Sequence, residues 1–96
     1  MKYSVYTKWH WTTGMMSQGD MEDFMKNEVK PNTEATDIIW WKIDDSHHGA
    51  LITYPSEAVA MEERSALEKN REKSFERGLE LIEESTGPVL VRMSDL

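Results

Sequence analysis

Hydrophobic residues recur along this chain at two different spacings. Residues 2–11, KYSVYTKWHW, alternate under aromatic and β-branched enrichment, which is typical of a strand that covers a core with one face. Residues 17–31 instead place apolar side chains from Met21 to Val29 at the three- and four-residue spacing of a helix. This change of period predicts that strands and helices alternate along the chain.

Capping and turn residues mark where these segments end. Ser17 and Asp20 resemble a helix-capping pair, and Pro31 stops the first helix. The turn-like sequence DDSHHG, residues 44–49, predicts a hairpin, and Ser56 is a natural N-cap for the next helix. In chain order the predicted elements are a strand over 2–11, a helix over 17–31, strands over 37–43 and 50–54, a helix over 57–84 and a strand over 89–93.

The second predicted helix is unusually long. Residues 57–84 contain no proline and one glycine, and Gly87 with Pro88 follows them. A continuous helix over this range would be ~42 Å long at ~1.5 Å per residue, which is longer than a small sheet can cover. We therefore expect a kink or break within residues 70–74, or an overhang that meets a partner. The approximate apolar stripe of this helix consists of Val59, Ala66, Phe75, Leu79 and Ile82.

The order β-α-β-β-α-β predicts an α+β chain of the ferredoxin-like type, in which both helices cover one face of an antiparallel sheet. The chain has 96 residues, of which 39% are hydrophobic and 30% charged, as expected for one soluble globular domain over residues 1–96. It contains no cysteine, so disulfides, thiolate metal sites and cysteine nucleophiles are excluded.

Hydropathy and charge narrow the classes of partner. No segment approaches the ~20 apolar residues of a membrane-spanning helix, so no membrane partner is expected. The first residues, MKYSVYTKW, lack the apolar stretch of a secretory signal, so we expect a cytoplasmic location. The 18 acidic and 11 basic residues give a net charge of −7, which repels phosphate. A nucleic-acid partner is therefore not expected.

Alternate side chains of a strand point to opposite faces of its sheet, so each predicted strand can be divided into two sets. In the first strand, the aromatic-rich set from Tyr3 to Trp11 should face the helices. In the second strand, Ile39, Trp41 and Ile43 should do the same. A one-residue slip in register would exchange the two faces. The remaining, mixed face is predicted to bind a ligand through Tyr6, Lys8, His10, Ile38, Trp40, Lys42, Leu90 and Arg92.

An apolar patch of this size on the second face of a sheet usually marks an interaction site. The order of elements, the length and the two-sided strands resemble the dimeric α+β barrel superfamily, in which two ferredoxin-like chains face each other and enclose a cavity. The tail ESTGPVLV also resembles the helix-to-strand joint of small uncharacterised proteins from marine microbes. The superfamily resemblance implies a homodimer whose cavity is lined by the mixed face.

The residues of the mixed face suggest binding of a small molecule as the leading function. Lys8, Lys42 and Arg92 would hold an anionic head group, and Arg is the natural fork for a carboxylate. Tyr6 and Trp40 would supply apolar contact area. The expected ligand is an apolar or amphiphilic carboxylate, either fatty-acid-like or aromatic.

Two other classes of function stay open. The superfamily includes cofactor-independent monooxygenases and isomerases, and by this resemblance His10 could be the general base for an aromatic substrate. Such an enzyme would need no cofactor. The other class is a non-catalytic, stress-type interaction module in which side chains fill the cavity of the dimer.

The sequence Asp44-Asp45-Ser46-His47-His48 is the one candidate for a metal site. Adjacent histidines on a strand point to opposite faces, so they rarely bind the same ion. Asp and Ser commonly supply hydrogen bonds in turns. We interpret the segment as a polar hairpin turn, and we expect no metal there.

Overall fold

A computed structural model describes residues 1–63 and 78–96 of the chain. The strands are β1 (Tyr3–Trp11), β2 (Asp37–Asp44), β3 (His47–Tyr54) and β4 (Leu79–Pro88). The first helix, α1 (Gln18–Phe24), continues as a π turn (Met25–Val29) and a 3₁₀ turn (Lys30–Asn32). A second helix, α2, is described over 57–63, and a 3₁₀ turn (Met93–Asp95) lies near the end of the chain.

The four strands form one antiparallel sheet in the order β2-β3-β1-β4. The prediction of an α+β chain with a four-stranded antiparallel sheet is therefore confirmed, and this topology is compatible with a ferredoxin-like fold. The hairpin between β2 and β3 is also as predicted. One extra residue interrupts the register at each side of the sheet, Ile82 in β4 and Ile43 in β2. Such bulges increase the local twist of a strand.

The core lies between the sheet and α2. Tyr3, Tyr54 and Ala60 are buried together, with Val5 and Ile52 packed against them. Tyr54 is the most deeply buried large side chain, at 1% exposure. Burial and the nearby Glu63 carboxylate raise the pKa of Tyr54. The predicted apolar face of β1 therefore does face the helices.

Hydrogen bonds at the helix ends follow the capping signals in the sequence. The Ser17 hydroxyl accepts a hydrogen bond from the Asp20 backbone N–H at 3.2 Å, as predicted. After the 3₁₀ turn, Thr33 Oγ1 donates to the Glu63 carboxylate at 3.0 Å, and the Glu34 N–H donates to the same carboxylate. Glu63 therefore joins the loop before β2 to α2.

The predicted helix over 57–84 is correct over 57–63 and wrong over 79–84, which belong to β4. Its predicted middle, with the expected break, lies outside the described residues. Gly78 has a φ of +82°, a conformation that interrupts a helix or a strand. The residues after it, LELIE, fit the hydrophobic spacing of a helix and also that of a strand. Leu79 and Ile82 have helical spacing, whereas Leu79 and Leu81 alternate as in a strand. Leu79 and Leu81 are opposite Trp11 and Trp9, so pairing with β1 decides in favour of the strand.

The predicted final strand over 89–93 is also wrong. Pro88 is opposite Tyr3, the first residue of β1. Beyond Pro88, almost no residues are left on that side for β4 to pair with. One further hydrogen bond joins the Val89 N–H to the Lys2 carbonyl at 2.8 Å. The Gly87-Pro88 pair thus lies in the last strand and does not separate a helix from it.

No helix within residues 1–63 and 78–96 is long and apolar enough to cross a membrane. The cytoplasmic location stays a prediction.

We predict that Gly78→Ala destabilises the protein by about 2–3 kcal/mol. About 1 kcal/mol of this comes from the left-handed backbone, and the rest from contact with Thr12. A Cβ at position 78 would lie 2.6 Å from Thr12 Oγ1, which donates to the Gly78 carbonyl. The free energy of unfolding in urea measures the effect.

Two other glycines are matched controls for this substitution. Gly14 has a φ of +96° but open space around it, so Gly14→Ala should cost only the backbone part, about 1 kcal/mol. Gly87 has open space and no positive φ, so Gly87→Ala should cost nothing. Equal losses at positions 78 and 14 would show that the Thr12 contact is unimportant.

Candidate functional site

Directly opposed residues of an antiparallel pair point to the same face of the sheet. Tyr6 is opposite Leu51, and Leu51 is opposite Ile39, so these side chains share the face that points away from the helices. We call it the open face. By register it carries Ser4, Tyr6, Lys8, His10, Asp37, Ile39, Trp41, Asp44, His47, Gly49, Leu51, Thr53, Glu80, Glu83, Ser85 and Gly87.

The predicted facing of β2 is wrong. Trp40 is opposite Ala50, which is opposite Thr7, and both of those partners are buried on the helix side. The Trp40 ring also stacks on Phe24, with ring centroids 6.3 Å apart. Both sets of side chains in DIIWWKID are apolar, so hydrophobicity could not assign the faces of this strand. The partner strand assigned them.

The predicted ligand residues are thus divided among three places. Tyr6, Lys8 and His10 share the open face. Ile38, Trp40 and Lys42 lie on the helix side. Leu90 and Arg92 follow the end of β4 and belong to neither face of the sheet, and Leu90 is 90% exposed. Whether any of these residues binds a ligand stays a prediction.

Trp41 forms an exposed aromatic platform on the open face. Its indole lies over Gly49, where an added Cβ would overlap the Cζ2 and Cε2 atoms of the ring. It also stacks with Tyr6, with centroids 6.0 Å apart and planes at 23°. Trp41 is 40% exposed and the neighbouring Ile39 is 52% exposed. Contiguous exposed apolar surface of this kind is typical of an interaction site.

Lys8 lies next to this platform, opposite Gly49 in one strand and Glu83 in the other. Ion pairs are present elsewhere, between Lys2 and Asp95 and between Lys42 and Asp45. Within the part of the chain that the structure describes, Lys8 makes no ion pair. Its ammonium group is therefore available to an anion at the open face.

Two imidazoles stack at the end of the open face. The rings of His10 and His47 are 4.8 Å apart. His10 Nδ1 lies 3.4 Å from Glu80 Oε2, and His47 Nδ1 lies 2.8 Å from Asp44 Oδ1. A carboxylate at Nδ1 orients an imidazole and leaves Nε2 for other partners. The contribution of His47 was missed because the sequence indicated only a turn.

The turn between β2 and β3 is confirmed as a polar turn. The Ser46 N–H donates to Asp44 Oδ1 at 2.9 Å. This backbone hydrogen bond, together with His47, lowers the pKa of Asp44 to about 2. His47 and His48 point to opposite faces, as adjacent strand residues do. Across the described residues, no group of three or more His, Asp or Glu side chains is placed to hold a metal ion.

A groove of about 540 Å³ lies on the other side of β2, at the start of α1. His48 lies in this groove with only 6% of its surface exposed, and Trp11 Nε1–H donates to its Nδ1 at 2.7 Å. Burial lowers the pKa of His48 to about 4, so the ring is neutral at pH 7. The groove is lined by Met15, Met16, Gln18, Met21, Trp40, Trp41, Lys42, Asp45 and His48.

Comparisons with known proteins returned no match to a protein-family model, to a curated protein or to a solved structure. The resemblance to the dimeric α+β barrel superfamily and to marine-microbial proteins therefore stays a prediction.

We predict that acid destabilises the fold through His48. Folding lowers its pKa from 6.5 to about 4, so between these values the unfolded chain binds a proton that the folded chain does not. The contribution of His48 to the free energy of unfolding is therefore complete above pH 6.5 and is lost as the pH drops towards 4. Between pH 7 and pH 5 the free energy of unfolding in urea should fall by on the order of 2 kcal/mol.

The variant His48→Asn tests this assignment, because its side-chain oxygen can still accept the Trp11 N–H. Its free energy of unfolding should change much less between pH 7 and pH 5. His47→Asn, on the open face, is the matched control and should keep the pH dependence of the original protein. A full pH dependence in His48→Asn would rule out this histidine as its source.

Proposed function

We propose that the protein is a homodimer that binds a small apolar or amphiphilic carboxylate between the open faces of two chains. The observation that carries this proposal is the ammonium group of Lys8, unpaired within the described chain, beside the exposed stack of Tyr6 and Trp41. An apolar surface with one placed charge is the usual composition of a site for an amphiphilic ligand.

The size of the open face supports a second copy of the chain as its cover. Four strands about 4.8 Å apart, with roughly eight residues of ~3.3 Å each, span roughly 500 Å². Two such faces would bury about 1,000 Å², the lower limit for a specific interface. In a two-fold dimer the same face meets itself, so the apolar Ile39 and Trp41 would meet apolar surface.

The charges of the open face favour a carboxylate over a nucleic acid. Lys8 and the two histidines lie near the apolar platform, whereas Glu80 and Glu83 occupy the β4 side of the same face and two aspartates lie at the ends of β2, Asp37 and Asp44. Those carboxylates and the net charge of −7 disfavour a phosphate backbone. Lys8 is opposite Glu83 on the β4 side and opposite Gly49 on the β3 side, so a small anion with an apolar body, fatty-acid-like or aromatic, would reach it from the β3 side.

The stacked histidines favour a second candidate function, a cofactor-independent monooxygenase or isomerase acting on an aromatic substrate. His10 and His47 each face a carboxylate through Nδ1, which leaves Nε2 of His10 to accept a proton.

The third candidate, a non-catalytic interaction module, differs in the role of Lys8. In that case Lys8 would pair with an acidic side chain of the second copy, and aromatic side chains would fill the cavity.

We predict that Ile39→Glu converts the dimer into a monomer, because it places an unpaired carboxylate within an apolar part of the interface. Sedimentation equilibrium measures the mass. Val91→Glu is the matched control, since Val91 is 70% exposed and lies outside the sheet. It should leave the dimer intact. If the original protein is a monomer, the proposal is wrong. If the Ile39→Glu variant is still a dimer, the interface lies elsewhere on the chain.

We predict that Lys8→Gln weakens the binding of 2-naphthoate at least tenfold and leaves the dimer intact. The variant removes the charge that holds the carboxylate. Calorimetric titration measures the affinity. Lys42→Gln, on the helix side, is the control and should bind as the original protein does.

The outcomes of this titration separate the three functions. Unchanged binding by Lys8→Gln would overturn the carboxylate site. Loss of the dimer in Lys8→Gln would favour the interaction module. The 2-naphthoate recovered after incubation should keep its mass and its proton NMR spectrum if the protein only binds it. A changed mass or a changed spectrum that His10→Gln abolishes would favour the enzyme.

A further inference from the structure

The groove on the helix side of β2 has the size of a small-molecule site and shares Trp41 with the open face. Its volume of about 540 Å³ lies within the roughly 300–1,000 Å³ of such pockets. It lies where the β1–α1 loop, the start of α1 and the edge strand β2 meet. Met15, Met16 and Met21 line it together with Trp40 and His48.

His48 presents a neutral hydrogen-bond donor to this groove. Its Nδ1 accepts the Trp11 N–H, so the neutral ring carries its proton on Nε2. Within the described chain Nε2 makes no hydrogen bond, and no buried side-chain nitrogen or oxygen there lacks a partner. Nε2 is therefore not fully enclosed by protein, and the groove is the cavity that His48 lines.

The walls of the groove suit a flat apolar molecule. The Trp40 ring is held between Phe24, at 6.3 Å, and His48, at 6.1 Å, so its position is defined by packing on both sides. Methionine side chains are flexible and polarizable, and they adapt to the outline of an aromatic ring. The methionines and the indole thus give the groove an apolar wall that a planar ring can contact.

The charge of the groove is balanced without a ligand. Lys42 Nζ lies 3.0 Å from Asp45 Oδ1, and both residues line the groove. A carboxylate would have to compete with Asp45 for this ammonium, in contrast to Lys8 on the open face. The other polar groups of the groove include the Gln18 amide and His48 Nε2–H, and both of these are uncharged. His48 Nε2–H is a donor, so it suits an uncharged acceptor.

We propose that this groove is a second binding site, for a small uncharged planar aromatic molecule whose carbonyl oxygen accepts a hydrogen bond from His48 Nε2–H. The site does not require a dimer, because one chain supplies all of its walls.

Titration with coumarin, a neutral planar ring with one carbonyl, tests the proposal. The ¹³C-methyl signals of Met15, Met16 and Met21 should shift saturably. His48→Asn keeps an oxygen for Trp11 but removes the donor at the Nε2 position, so it should bind coumarin about tenfold more weakly, as expected for one hydrogen bond. Lys8→Gln, on the open face, should bind it as the original protein does.

A second comparison uses the original protein alone, so it does not depend on the folding of a variant. Indene has a similar ring system without the carbonyl and should bind about tenfold more weakly than coumarin. Equal affinity for the two compounds would overturn the role of His48. Tighter binding of coumarin-3-carboxylate than of coumarin would show that the site does not prefer an uncharged ligand. Unshifted methionine signals would show that the groove does not bind coumarin. None of these results depends on the dimer or on Lys8.

Discussion

The pairing of β3 with β1 on one side and β2 on the other decides where the candidate functional side chains lie. Gly49 is at the middle of this arrangement, opposite both Lys8 and Trp41. Because glycine has no Cβ, the indole of Trp41 can lie across the sheet and stack on Tyr6. The platform and the nearby ammonium group therefore depend on one register and on one residue without a side chain.

The same register places sequence neighbours on opposite faces of the sheet, in β2 and again in β3. Trp41 and His47 belong to the open face, where the imidazole is partly exposed and next to a carboxylate. Trp40 and His48 belong to the helix side, where burial keeps the imidazole neutral. The two imidazoles thus differ in their contacts: His47 lies next to a carboxylate, whereas His48 is buried and accepts the Trp11 N–H. The difference comes from solvation and from the hydrogen-bond partner of each ring.

The lysine on the open face and the lysine on the helix side differ in whether they have an ion-pair partner. This difference is why the two proposed ligands differ in charge. Lys8 has no ion-pair partner within the described chain, so an anion at the open face would gain a charge-assisted contact. Lys42 already pairs with Asp45, so an anion in the groove would gain little. A carboxylate for one site and a neutral carbonyl compound for the other follow from the same argument about charge.

The sequence by itself determined the α+β class, the hairpin, the capping of α1 and the facing of β1, because these follow from local spacing and from hydrogen bonds between near neighbours. It left open the facing of β2, where both sets of side chains are apolar, and the identity of residues 79–84, where helical and strand spacing coexist. Tertiary structure decided both. Trp40 points to the helices because its partner Ala50 does, and Leu79 is in a strand because it pairs with Trp11. Pairing between distant strands sets these outcomes, and no local pattern encodes it.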